Sequence, residues 1–145
     1  MEKLQVAGDK SQVASGKSQT KKIAQSYRDM EIYQMGHSLA LGIHQISLKL
    51  PRYELYETGS QIRKSSKSIS VNIVEGFGRR RYTAEYIRFL IYAHASCDET
   101  MEHLRFLHEA ENLSSPEFQN YLSRYELLSK KLCMFINSIE RGFKR

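Results

Sequence analysis

Apolar residues recur at spacings of three and four along four segments of the chain, which is the period of one buried face of an α-helix. The segments cover about residues 29–49, 56–76, 83–107 and 115–142, and Pro51 separates the first two because it pushes the preceding residue out of helical geometry. Helices of about 20 residues are about 30 Å long, and short connections place sequential helices antiparallel. The pattern predicts an all-α fold, an up-down-up-down antiparallel four-helix bundle.

Individual residues predict where these helices begin and end. Asp29 and Thr83 have the short polar side chains that cap helix N-termini. Gly76 and Gly78 suit a C-terminus that needs left-handed backbone, and Gly142 is expected to stop the last helix.

The N-terminal segment differs from the rest of the chain. Residues 1–26 are rich in Lys, Ser, Gln and Gly without a sustained apolar period, which predicts a disordered, mildly basic tail before a bundle domain over 27–145. A solvated leader is favoured over an arm that binds a polyanion. The segment lacks the apolar core of a secretory signal, and no run reaches the roughly 18 apolar residues that span a bilayer. We therefore expect a cytoplasmic protein without a membrane partner.

Few residues are arranged for covalent or metal chemistry. Cys97 and Cys133 fall on predicted apolar helix faces, so buried reduced thiols are favoured over a disulfide or a redox pair. The five histidines lack the spacing of a ligand set, and the sequence has no nucleophile elbow, phosphate-cradling glycine loop or Cys-x-x-Cys pair. We expect no cofactor, no metal site and no enzymatic activity.

Positive charge is concentrated around the corner between the second and third helices, in a chain with 22 Lys and Arg against 16 Asp and Glu. Guanidinium groups suit phosphate contacts, and the basic residues are expected to converge on one end of the bundle. The alternative is a solvated corner that neutralises a helix dipole. Tyr82 and Phe77 could stack on bases, although Phe77 better fits a buried plug. The predicted nucleic-acid-binding residues are Arg63, Lys64, Lys67, Arg79, Arg80, Arg81 and Arg88.

A second set of polar residues interrupts the apolar faces of the second and third helices. Glu75 and Glu99 could meet across these helices, but carboxylate metal sites in bundles use Glu-x-x-His pairs, which are lacking here. A buried hydrogen-bonded network is therefore predicted. Its members are Gln61, Asn72, Glu75, Ser96 and Glu99.

Several motifs resemble one known family. They are Y-R-D-M-E-I-Y-Q over 27–34, the spacing of Pro51, Glu54 and Tyr56, and N-I-V-E-G-F-G-R over 72–79. The chain resembles the small bacterial four-helix-bundle proteins first noticed as products of intervening sequences in large-subunit ribosomal RNA genes. The resemblance covers residues 27 to about 142 and implies a ring-shaped homopentamer. Similar accessory proteins of diversity-generating retroelements bind nucleic acid through a basic surface and associate with a reverse transcriptase.

The leading hypothesis is a non-enzymatic homo-oligomer that binds RNA or DNA through its basic surface without reading sequence. The alternative is a protein-interaction ring whose arginines meet other subunits or a protein partner, since an acidic zone over 98–117 allows opposite-charge docking. Tyr33, Tyr53, Tyr92 and Phe106 lie off the four core stripes and are expected to be exposed apolar residues at subunit contacts.

Overall fold

The computed structural model describes residues 24–143, and within that range the chain forms four long helices and no strand. A 3₁₀ turn, Tyr27–Asp29, precedes the first long helix, and a one-turn helix, Arg52–Leu55, lies between the first and the second. The long helices are α1 (Glu31–Ser47), α2 (Thr58–Gly78), α3 (Thr83–Glu109) and α4 (Ser115–Phe143). The prediction of an all-α fold with four helices is confirmed for the described residues.

The helices pack as an antiparallel bundle. Each helix packs on the next along the chain, and α1 also packs on α4. At the start of α1, Glu31 accepts a hydrogen bond of 2.8 Å from Lys131, late in α4. Between α2 and α3, the Thr100 hydroxyl donates to Ser65 at 2.8 Å, so the beginning of α2 lies beside the later half of α3.

The core follows the predicted helical period. Its fully buried members include Ile43, Ile62, Ile69, Ile73, Leu90, Leu104, Leu128 and Leu132. Burial of each such side chain contributes about 1.5–3 kcal/mol. Ser65, Ser66 and Ser70 of α2 are buried with them, and their hydroxyls donate to carbonyls three residues earlier in their own helix. The small-residue face of α2 therefore packs closely without leaving these hydroxyl groups unpaired.

Several helix ends differ from the prediction. Ser26 caps the 3₁₀ turn by accepting from the Arg28 N–H at 3.2 Å, and Asp29 accepts from the Ser26 N–H at 3.2 Å. Asp29 thus supports a capping box instead of capping α1. Thr83 is already the first residue of α3, and Gly142 lies inside α4.

The predicted N-terminal tail, residues 1–26, lies outside the described residues up to position 23. Ala24 packs against the hydrophobic core, so the packed part of the chain begins before the predicted boundary at residue 27. Among the described helices, none has the length and hydropathy needed to cross a bilayer.

Candidate nucleic-acid interface

The corner between α2 and α3 depends on a glycine that lets two helices meet closely. A Cβ atom added to Gly76 would lie 3.2 Å from the Phe89 Cβ and 3.3 Å from the Tyr86 carbonyl oxygen. Neither Gly76 nor Gly78 has a positive φ, so the predicted left-handed ending is wrong. Gly76 is required for space, whereas a Cβ at Gly78 would meet nothing within 4 Å.

Arg79 directly follows α2 and lies between carboxylates and an aromatic ring. Its guanidinium is 3.8 Å from the Glu75 carboxylate and 3.7 Å from that of Glu85. The same group lies 4.8 Å from the centre of the Phe89 ring. Both carboxylates and Arg79 are substantially exposed, so these ion pairs are screened and weak.

Arg80 and Arg81 have different surroundings. The Arg80 Nη1 donates to the Phe77 carbonyl oxygen at 2.8 Å, and its guanidinium stacks 3.9 Å from the centre of the Phe77 ring. The Arg80 side chain therefore adds a second hydrogen bond to a carbonyl at the end of α2, which also accepts from the Arg80 backbone N–H at 3.2 Å. Arg81 is exposed, and no carboxylate in the described part of the chain lies within ion-pair distance of it.

Arg88 brings a further guanidinium to the corner from the second turn of α3. It lies 3.2 Å from the Glu85 carboxylate, 5.3 Å from the centre of the Phe89 ring and 5.9 Å from that of Tyr92. The side chains of Tyr82 and Tyr92 are 65% and 45% exposed. We call this basic and aromatic cluster the arginine corner; it comprises Arg79, Arg80, Arg81, Arg88, Tyr82, Phe89 and Tyr92.

The other predicted cations do not converge on this corner. Arg63 lies near the start of α2, where it donates to the Ser47 hydroxyl at 2.9 Å and to the Leu55 carbonyl oxygen at 2.8 Å. It is half-buried and joins the connection between α1 and α2 to the bundle. Lys64 and Lys67 are exposed on α2, but at 1.5 Å per residue they lie about 20 Å from the corner. The expected convergence is wrong for these three residues.

The predicted polar network is present only in part. Asn72 donates to the Ser68 carbonyl oxygen at 2.8 Å and to the Ser68 hydroxyl at 2.9 Å. The Ser68 hydroxyl is in turn 3.0 Å from that of Ser96. Asn72 and Ser96 are thus joined through Ser68, which was not among the predicted members.

The three remaining predicted members, Gln61, Glu75 and Glu99, are exposed. Glu75 faces Arg79, and the Glu99 carboxylate lies 3.9 Å from His103. The side chains of Glu75 and Glu99 are 51% and 56% exposed. The prediction that these two carboxylates belong to a buried network is wrong.

At the opposite end of the bundle, a buried carboxylate connects two loops. Glu54 is 9% exposed, and its oxygens accept from the Thr58 N–H and from the Asn112 amide, each at 3.2 Å. The Tyr53 hydroxyl donates to the other atom of that amide, Asn112 Oδ1, at 3.1 Å. We call Tyr53, Glu54, Thr58 and Asn112 the Glu54 cluster. The spacing of Pro51, Glu54 and Tyr56 contributed only to the family resemblance and did not predict this cluster.

The potential metal ligands of the bundle are dispersed. Within 24–143, no three His, Cys, Asp or Glu side chains are grouped so that they could hold a metal ion.

The sequence model of the 23S rRNA-intervening sequence protein family matches residues 28–134, which include the arginine corner. The chain belongs to this family. The resemblance noted from the N-I-V-E-G-F-G-R segment is thereby confirmed. A search of the curated proteins finds no match.

A solved structure shares the fold of this family member. It is the 1.70 Å crystal structure of a protein of unknown function from the S23 ribosomal protein family of Bacteroides thetaiotaomicron. The two chains are 20% identical with a TM-score of 0.67, over 73% of this chain and 95% of the other.

Proposed function

We propose that this member of the 23S rRNA-intervening sequence protein family is a non-enzymatic homo-oligomer that binds nucleic acid through the arginine corner without reading its sequence. The observation that supports this most directly is the position of Arg79 and Arg88, whose guanidinium groups lie against aromatic rings at the surface. Such a surface offers charge for phosphates and flat apolar faces for bases.

The charges of the corner are available to phosphate. Its four arginines exceed the two nearby carboxylates, Glu75 and Glu85. Exposed ion pairs of this kind are worth about 0–1 kcal/mol, so phosphate oxygens can replace the carboxylates at little cost. Planar guanidinium groups bind phosphate in a bidentate manner.

The aromatic residues of the corner favour unpaired bases. Tyr82 and Tyr92 are exposed beside the arginines, and stacking on an aromatic side chain is worth about 1–3 kcal/mol per base. Stacking discriminates little between bases, and the corner presents no helix shaped for a groove. The family description refers to an intervening sequence of 23S rRNA, which supports an RNA-related role.

We also propose that the protein assembles as a homopentameric ring, the number of subunits being that implied by the family resemblance. Exposed apolar side chains occur on two helix pairs at opposite sides of the bundle. They include Val71, Ile91 and Phe106 on α2 and α3, and Leu41, Leu127 and Met134 on α1 and α4. A closed ring requires two different complementary surfaces on each subunit, and exposed apolar residues on both helix pairs support such an assembly.

The aromatic residues predicted at subunit contacts have different exposures. Tyr53, Tyr92 and Phe106 are exposed. Tyr33 is half-buried against the core, and its ring centre lies 5.0 Å from that of Tyr27. Tyr33 is therefore removed from the proposed contact set, and Tyr92 is assigned to the arginine corner instead.

The second candidate function is a scaffold ring for a protein partner such as a reverse transcriptase. In its favour, Arg79 and Arg88 already share the Glu85 carboxylate, so carboxylates of another protein could occupy the corner equally well. Exposed acidic residues are present in the later half of α3 and beyond it, including Glu102, Glu109 and Glu117.

The two functions are separated by binding and light-scattering measurements on the full chain. Fluorescence anisotropy with labelled single-stranded RNA and single-stranded DNA is expected to give affinities within about tenfold of one another, or 1.4 kcal/mol, and duplex DNA should bind more weakly because its paired bases cannot stack on the exposed tyrosines. All three affinities should fall steeply between about 50 and 200 mM salt, because binding releases counterions. Absence of binding at about 50 mM salt would contradict nucleic-acid binding.

The variant for both measurements is Arg79→Gln with Arg81→Gln. It keeps Arg80, whose side chain bonds the Phe77 carbonyl oxygen at the end of α2. We expect the ring to persist in light scattering while affinity falls. If the variant instead dissociates into monomers, the arginines belong to a subunit contact, and the scaffold function is favoured. A monomer mass for the wild type across micromolar concentrations would contradict the ring.

A further inference from the structure

The two cysteines lie in opposite environments. Cys97 is buried in α3, where its thiol donates to the Tyr125 carbonyl oxygen at 3.4 Å, and burial raises its pKa to about 12. Cys133 is exposed on α4, and its Sγ lies 3.2 Å from the Nε2 of His94. The predicted burial is correct for Cys97 and wrong for Cys133.

His94 connects Cys133 to a carboxylate across the groove between α3 and α4. Its Nδ1 lies 3.7 Å from Asp98 Oδ2, one turn further along α3. Its Nε2 lies 2.9 Å from the Ser129 hydroxyl as well as 3.2 Å from Cys133. A carboxylate beside Nδ1 favours the tautomer that carries its proton there, which leaves a lone pair on Nε2.

This order of groups is the one that activates a nucleophile. A thiol lies within reach of a neutral imidazole nitrogen, and a carboxylate steadies the positive charge that forms when the imidazole takes a proton. The thiol is at the surface, so a small reagent reaches it without a conformational change. The Ser129 hydroxyl competes for the same lone pair and limits how often the thiol occupies it.

We propose that Cys133 is a modification site that forms mixed disulfides with low-molecular-weight disulfides, with His94 as its base and Asp98 as the residue that positions His94. The thiol proton passes to His94 Nε2, and the thiolate attacks one sulfur of the incoming disulfide. The bond between the two incoming sulfurs breaks as the new sulfur–sulfur bond forms. The departing thiolate takes the proton from His94, so one disulfide is consumed and one is made without another oxidant.

The mixed disulfide is expected to persist on the protein. The chain has two cysteines, and the only other thiol, that of Cys97, is buried and bonded to the Tyr125 carbonyl. A raised pKa keeps that thiol protonated, so it cannot attack the new bond and release the small thiol. The modification would therefore be reversed by an external thiol.

The test follows the reaction of the full chain with the aromatic disulfide 5,5′-dithiobis(2-nitrobenzoic acid) at neutral pH. The protein carries Cys97→Ser, so that Cys133 is its only cysteine. Each rate is divided by the rate of free cysteine in the same buffer. On this scale, Cys133 is expected to react at least about tenfold faster in the folded protein than in the protein unfolded in urea. Cys133→Ser should abolish the fast reaction. A folded rate no greater than the unfolded rate would contradict the proposal.

His94→Gln should slow the reaction by about tenfold, because glutamine keeps a polar side chain but accepts no proton at neutral pH. His94→Ala should regain speed when free imidazole is added, beyond the small acceleration that imidazole gives the parent. A structural role for His94 would not produce this rescue, so its absence would overturn the assignment of a base. In the Ser129→Ala variant, Cys133 should react at least as fast as in the parent, because the competing hydroxyl no longer occupies the His94 lone pair. A slower reaction would contradict this and show that His94 bonds the hydroxyl and not the thiol.

Discussion

The polar groups at one end of the bundle are bonded to one another, and those at the other end largely face solvent. At the first of these ends, which we call the closed end, the Glu54 cluster joins the one-turn helix to the connection between α3 and α4. In the same region, Arg63 bonds the Ser47 hydroxyl and the Leu55 carbonyl. At the arginine corner, Arg81 is exposed, and the ion pairs of Arg79 and Arg88 are screened by solvent.

The comparison shows that the same residue type has two roles in one chain. Hydrogen bonds from a charged group, such as those of Arg63, contribute about 1.5–3 kcal/mol to stability. Exposed ion pairs such as those of Arg79 contribute about 0–1 kcal/mol. The closed end therefore stabilises the fold, whereas the ion pairs of the arginine corner add little stability, which is what the proposed nucleic-acid interface requires.

The largest expected effect is on stability at the closed end. Glu54→Ala leaves the Thr58 N–H and the Asn112 amide without their partner, so the free energy of unfolding should fall by about 2–3 kcal/mol. The corner variant Arg79→Gln with Arg81→Gln should lose less than about 1 kcal/mol. Urea denaturation measures both values. Equal losses at the two ends would remove the distinction between them.

The next prediction compares the effects of two glycine substitutions at the arginine corner on the free energy of unfolding. Gly76→Ala should lower the free energy of unfolding by about 1–2 kcal/mol, because the added methyl presses on the Phe89 Cβ and the Tyr86 carbonyl. Gly78→Ala meets open space in a helical residue and should raise it by about 0.5–1 kcal/mol. Thermal unfolding of the two variants checks the pair. A stable Gly76→Ala protein would show that α2 and α3 can separate without cost.

A further effect, confined to alkaline pH, concerns stability near the corner. Burial raises the pKa of Tyr86 from 10.0 to about 12, although the charge of Arg80 opposes the shift. The unfolded chain loses this proton above pH 10 while the folded protein keeps it, so the contribution of Tyr86 is complete below pH 10 and is lost between pH 10 and about 12. Tyr86→Phe should flatten that part of the stability curve, measured by urea denaturation at each pH. Parallel curves for variant and wild type would contradict the shift.

The sequence predicted the four helices well because the burial of one helix face repeats over many turns. A single misassigned position therefore does not change the assignment of the helix. Ile62, Ile69 and Ile73 all lie in the core as their spacing required. The helix ends were predicted poorly because they depend on tertiary contacts. Gly76 is one example, since its role is set by Phe89 on another helix.

The candidate site was predicted in part for a similar reason. The consecutive arginines identified the corner, but nothing local distinguishes Arg63, which bonds a carbonyl of the preceding one-turn helix, from the exposed Arg81. Asn72 and Glu75 are three residues apart on α2, yet Asn72 bonds Ser68 beside α3 and Glu75 is exposed. A rotation of a few tens of degrees about the helix axis separates these environments, and that rotation is fixed only by packing.

The most direct measurement compares the salt dependence of RNA binding for two charge-matched variants at opposite ends of the bundle. One is Arg79→Gln with Arg81→Gln, and the other is Lys49→Gln with Arg52→Gln, which removes two exposed charges from the closed end. If the arginine corner meets phosphate, the slope of log affinity against log salt becomes shallower by about 0.7 for each phosphate of a single strand that is no longer neutralised, and only in the corner variant. Equal slopes for the two variants would contradict a nucleic-acid interface at the arginine corner.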